Sequence, residues 1–109
     1  MEKTEFGDKR NFERIPVTLS VHYFCLYAYK WGLAQTRDIS TQGVGLLMEG
    51  ELIPGFALDM WIMIPNKDQF FYLHGDVVWS KQIEPNKYKV GVRLHEANPM
   101  GVLQVLRTA

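Results

Sequence analysis

Val17-Thr18-Leu19-Ser20-Val21-His22-Tyr23 alternates apolar with polar side chains at every step. Period two marks a strand with one face in a core and one in water, because successive Cβ atoms of extended backbone point to opposite sides. Immediately upstream, Pro16 disfavours helical backbone at Ile15 and lets the strand begin there. The period of two returns downstream, with the second face partly apolar in the first of two further runs. Leu58, Met60, Ile62 and Ile64 interleave with Asp59, Trp61 and Met63, and Tyr88, Val90, Val92 and Leu94 interleave with Lys89, Gly91 and Arg93. Between them, Trp31 to Ile39 reads as a weaker second strand and Val44 to Met48 as a short apolar one. Phe70 to Trp79 is aromatic and β-branched, with Gly75 in its middle as the mark of a bulge or a close backbone approach.

Turn-forming clusters separate these runs: Ser40-Thr41-Gln42-Gly43, Pro54-Gly55, Pro65-Asn66-Lys67-Asp68 and Glu84-Pro85-Asn86-Lys87. Six strands at this spacing predict an all-β protein, a six-stranded antiparallel barrel over residues 15–95. Residues 1–14 are charged, carry no hydrophobic period and read as a mobile N-terminal arm. Residues 98–108 predict a short C-terminal α-helix, with Asn98 as cap, Pro99 in the first turn and Val102, Leu103, Val105 and Leu106 on an apolar side. That helix is expected to cover one end of the barrel.

The length of 109 residues suits one domain, and 47% hydrophobic with 22% charged residues is enough for a core without disulfides or metal. The single cysteine, Cys25, lies in the apolar run Tyr23-Phe24-Cys25-Leu26-Tyr27 and reads as a buried structural thiol. No apolar run is long enough to span a bilayer, and Met1-Glu2-Lys3-Thr4-Glu5 lacks the hydrophobic stretch of a signal peptide. A cytoplasmic protein without membrane insertion is the expectation. Twelve Lys and Arg against twelve Asp and Glu speak against a polymeric nucleic acid partner, which calls for a broad basic excess. A small anion needs only a local cationic site.

Two segments hold the chemistry such a site needs. Arg10-Asn11-Phe12-Glu13-Arg14 carries two guanidiniums four residues apart. A guanidinium grips phosphate oxygens bidentately and also matches O6 and N7 of guanine. Taken alone, the spacing is equally that of a solvated charged arm. In Asp38-Ile39-Ser40-Thr41-Gln42-Gly43, a carboxylate can accept from guanine N1–H and the exocyclic amine, and a hydroxyl can donate to phosphate. Gly43 permits a positive φ or the close approach of a ligand. Taken alone, this segment is equally a local turn.

Together, in this order and strand context, the two segments resemble the signature of the PilZ family of cyclic di-GMP receptors. Leu73-His74-Gly75-Asp76-Val77-Val78-Trp79 followed by Tyr88-Lys89-Val90-Gly91-Val92-Arg93-Leu94 resembles the later strands of that family, so the likeness runs from about Lys9 to the C-terminal helix. The resemblance implies that Arg10 and Arg14 hold guanine and phosphate groups, with the arm closing over a nucleotide on the outer surface of the barrel. It further implies that Asp38 recognises a guanine edge, Ser40 supports phosphate or the arginines, and Gly43 keeps the turn open to the ligand.

Secondary candidates are Lys9, Arg37, Trp79 and Arg93. Lys9 sits where the family varies between one bound nucleotide and a stacked pair. Strand alternation points Arg37 away from the face of Asp38, Trp79 can stack a base or serve as a core or rim aromatic, and Arg93 is a strand cation. His22, His74 and His95 lie on different strands without ligand-like spacing, so no metal and no cofactor are expected. Asp59, Asp76 and Glu96 have no reason in sequence to pair, and no nucleophile elbow or Walker loop is present, so an enzyme is not expected. The function expected is a receptor whose arm becomes ordered over the nucleotide and which then signals to a downstream protein. The alternative is a PilZ-like interaction module with vestigial nucleotide binding, acting through a surface rich in Trp61, Phe70 and Tyr72.

Overall fold

Extended segments with one apolar face can bury it by closing into a ring, and this chain does so. The computed structural model describes residues 14–65 and 68–96. Its strands are β1 (Ile15–Pro16), β2 (Ser20–Cys25), β3 (Lys30–Ile39), β4 (Gly43–Met48), β5 (Ala57–Ile64), β6 (Gln69–Glu84) and β7 (Lys87–Leu94). They are ordered β1-β3-β2-β5-β6-β7-β4, and a further antiparallel pairing of β3 with β4 shuts the sheet into a barrel. Six strands form the wall, while β1 occupies the same edge of β3 as β2. The expected C-terminal helix and the arm through Glu13, with Lys9 and Arg10, lie outside the described residues.

The alternating positions point inward. Val21, Val44, Leu46, Leu58, Met60 and Val90 are wholly inaccessible, and each such side chain contributes about 1.5–3 kcal/mol by leaving water. Cys25 is among them, as its apolar setting predicts. Tyr23 is also buried, and burial, followed by the neighbouring Cys25, raises its phenol pKa above the ordinary 10.0. Positive φ occurs at Gly50, Gly55, Asp68 and Asn86, residue types that tolerate it, and also at Tyr29 in the turn between β2 and β3.

Two departures from regular alternation follow from local hydrogen bonding. The strand expected to run unbroken from Ile15 is interrupted between Pro16 and Ser20. There the buried Thr36 hydroxyl of β3 accepts from the Leu19 N–H at 2.8 Å and donates to the Val17 carbonyl at 2.5 Å. One side chain thus satisfies two backbone groups that a continuous ladder would have paired. The run expected to end at Trp79 continues to Glu84, because β6 and β7 form a long hairpin beyond it. Gly75 marks no bulge: a Cβ there would strike the Arg93 carbonyl of β7, so the close approach is its purpose.

Candidate functional site

Two bulges decide which side chains reach the outer surface. On β3, Thr36 pairs with Leu46 and Asp38 with Gly45, leaving Arg37 as the extra residue. Thr36 points inward, so unbroken alternation would send Asp38 inward as well. The bulge reverses this: Asp38 faces out and Ile39 returns to the core beside Val44. On β6, Val77 pairs with Val92 and Trp79 with Gly91, leaving Val78 as the extra residue. Val77 is buried, so here too the bulge turns the following candidate, Trp79, outward, and it is half exposed. The plainer sequence reading of Trp79 as a core or rim aromatic therefore resolves to the surface.

Both outward residues fall on one row across four strands. Asp38 on β3 is level with Gly45 on β4, Gly45 with Gly91 on β7, and Gly91 with Trp79 on β6. Three strand spacings of ~4.8 Å make the row ~14 Å wide. Its two inner positions are glycines, and an added side chain at either would displace the residue lying over it. A Cβ on Gly45 would lie 2.6 Å from Asp38 Oδ1, and a Cβ on Gly91 would run into the Trp79 indole. A carboxylate and an indole thus lie flat over the backbones of their neighbours, on a floor without side chains. Gly45 and Gly91 belong to this surface, and the motif Asp38-x-Ser40-x-x-Gly43 does not include them. The Gly-x-Gly spacing at Gly43 and Gly45 was the signal available.

Arg14 stands over the same end of the row. Its Nη1 donates to Asp38 Oδ1 at 2.6 Å, and the guanidinium remains about half exposed. Arg37 Nη1 lies 3.9 Å from Asp38 Oδ2, so the bulge brings this side chain to Asp38 rather than to the opposite face that alternation implied. Gly43 pairs with Arg93, which places that cation on the neighbouring row.

Gly43 does not adopt a positive φ; its role is close approach, since a Cβ would sit 3.0 Å from the Val92 carbonyl and 3.5 Å from Arg14 Nη2. Ser40 is buried, and its hydroxyl accepts from the N–H groups of Gly43 at 3.0 Å and Gln42 at 3.3 Å. Its backbone N–H donates to the Gly43 carbonyl at 2.8 Å. In the described arrangement Ser40 holds the turn together.

A family model of the PilZ domain matches residues 8–108. The chain belongs to the PilZ domain family. Solved PilZ structures share the barrel: the PilZ domain of YcgR from Escherichia coli, in a structure with c-di-GMP, is 17% identical with a TM-score of 0.67, over 92% of this chain and 88% of that one. The PilZ domain of CeSA from a cellulose-synthesising bacterium is 15% identical with a TM-score of 0.62, covering 88% and 93% of the two chains. The Bacillus subtilis inhibitor of motility, MotI/DgrA, is 15% identical with a TM-score of 0.65 over 91% of this chain, which spans about half (48%) of that protein. At these identities the likeness is one of fold. No curated protein matches the sequence.

Elsewhere on this PilZ barrel, polar groups the sequence left apart come together. Asp59 Oδ1 accepts from the Tyr72 hydroxyl at 2.6 Å and lies 2.6 Å from His74 Nδ1. The His74 and His95 rings meet edge to face with centroids 4.3 Å apart, and His95 Nε2 lies 2.9 Å from Asp76 Oδ1. The hydrogen bond to Asp59, then burial, raises the Tyr72 pKa. Among the described residues no three such groups converge as a metal site, and no helix is long and apolar enough to cross a membrane.

Proposed function

We propose that this PilZ domain is a cyclic di-GMP receptor whose binding surface is the row Asp38, Gly45, Gly91 and Trp79 together with Arg14. The observation that supports the proposal is the pair of bulges, which turn a carboxylate and an indole outward onto one glycine floor beside a guanidinium. In this reading the Asp38 carboxylate accepts from a guanine edge, and the Trp79 indole offers a face to a base. Arg14 exchanges part of its contact with Asp38 for phosphate or guanine. Arg10 joins it from the arm, and Lys9, Arg37 and Arg93 add positive charge around the row. Ser40 and Gly43 act by fixing the turn on which Asp38 and Arg14 meet.

The arm of residues 1–14 becomes ordered as it closes over the nucleotide, and that ordered surface is read by a downstream protein. The domain is a cytoplasmic binding module and performs no catalysis. E. coli YcgR, whose PilZ domain has been solved with c-di-GMP, supports the choice of ligand through family membership and shared fold.

Thermal melting with and without cyclic di-GMP tests the reading, since a ligand that binds only the native state raises the midpoint. No shift at saturating nucleotide would leave the interaction module with vestigial binding as the better account. Titration calorimetry on Arg14→Ala and Asp38→Ala then tests the residues: each loses a charge-assisted contact of ~1.5–3 kcal/mol, about ten- to a hundredfold in affinity.

A further inference from the structure

The half of the barrel away from this row has a different surface. Leu33 on β3 is level with His22 on β2, His22 with Trp61 on β5, and Trp61 with Tyr72 on β6. Their strand neighbours Val21, Met60, Ile62 and Leu73 are buried, so this row faces outward. On one side of it lie Trp31, Phe24 and Asp59, and on the other Met63 level with Phe70. The rings touch in sequence: Phe24 to Trp31 at 4.9 Å, Trp31 to Trp61 at 5.5 Å, and Trp61 to Tyr72 at 5.4 Å. They form one continuous apolar face.

Trp31 is 64% exposed, Leu33 68%, Phe70 56%, Tyr72 51% and Met63 38%. At ~200 Å² for a large side chain, these fractions leave roughly 500 Å² of apolar surface in water, near the upper end of what a monomer carries. None of these positions is Lys or Arg, and the carboxylate of Asp59 is already bonded to Tyr72 and His74.

We propose that this face is the contact between two copies of the chain, joined about a two-fold axis near Trp61. Three features select a second copy as the occupant. Two such faces together remove about 1,000 Å² from water before any polar rim is counted, which reaches the lower threshold for a biological interface and suits a weak, concentration-dependent pairing. The chain has net charge +0, so two copies meet without net repulsion.

The face is also complementary to itself, as a two-fold contact requires. The middle row Leu33, His22, Trp61 and Tyr72 lies on the axis, and the axis sets the Phe24 and Trp31 edge of one copy against the Met63 and Phe70 edge of the other. Asp59 lies on the first of these edges, so the two Asp59 carboxylates stay on opposite sides of the interface. The nucleotide row occupies the other half of the wall, and the pairing does not depend on it.

Sedimentation equilibrium of the whole chain tests the proposal from micromolar to near-millimolar concentration. The expected result is a rise from 12.6 kDa to twice that mass. Leu33→Lys and Trp31→Lys each place two ammonium groups across the contact and weaken association about tenfold or more. Both positions are largely exposed, so both variants keep the fold, which thermal melting checks. A mass of 12.6 kDa at every concentration overturns the proposal and leaves the face to a different protein. Association unchanged in both variants overturns it as well, because the contact then lies elsewhere.

Discussion

The Arg14 guanidinium donates to the Asp38 carboxylate at 2.6 Å, tying the residue just ahead of β1 to the bulged end of β3. Asp38 is positioned by the barrel, whereas Arg14 belongs to the segment that leads into it. Both side chains keep access to solvent, and exposed pairs contribute only ~0–1 kcal/mol to stability. Arg14→Ala, Asp38→Ala and the double variant should therefore melt close to the parent protein. The same variants should lose nucleotide affinity. A scanning calorimetry series beside the titrations separates the two effects, and a large fall in melting temperature for either single variant would mean that the pair is structural.

Gly45→Ala addresses the floor of the row. The added Cβ collides with the end of the Asp38 side chain rather than with backbone, so the carboxylate swings aside while the strand stays in place. The expected outcome is a folded protein with a modest stability loss, about 1 kcal/mol, and affinity reduced about tenfold. Full affinity in the folded variant would show that the position of Asp38 over Gly45 has no part in binding.

Thr36→Val keeps the volume of a buried side chain but removes the hydroxyl that serves Leu19 and Val17. An N–H and a carbonyl then lose their partner, at a cost of ~1–3 kcal/mol. Denaturant titration should show that loss with an unchanged slope. An unaltered midpoint would mean that the gap between β1 and β2 closes without Thr36.

Alkaline stability follows from two phenols. In the folded chain the Tyr72 pKa is raised by its bond to Asp59, and that of Tyr23 by burial. Unfolded, both titrate near 10.0. The stability they contribute is therefore complete below pH 10 and is lost as pH rises through the folded values, where the folded chain holds more protons than the unfolded one. Midpoints measured from about pH 9 to about pH 11 should fall, and less steeply in Tyr23→Phe and Tyr72→Phe. An identical slope in both variants would assign the loss to other groups.

The barrel was legible in the sequence because alternation over Val17 to Tyr23, Leu58 to Ile64 and Tyr88 to Leu94 is a local property of extended chain that needs no knowledge of neighbours. The turn at Ser40 to Gly43 was legible for the same reason, since a small hydroxyl and a glycine act within four residues. What the sequence could not decide was the face on which Asp38 and Trp79 stand. Each faces outward only because its strand gains one residue against its partner, at Arg37 opposite β4 and at Val78 opposite β7. A bulge is a property of two paired strands, so no reading of one strand shows it. The crowding at Gly45 and Gly91 is likewise invisible in a single strand, because the side chains that a Cβ there would meet come from β3 and β6. The sequence by itself determined that a half-buried antiparallel barrel would form. Only the closed sheet, by fixing register between distant strands, decided that a carboxylate, an indole and a guanidinium would share one outer surface.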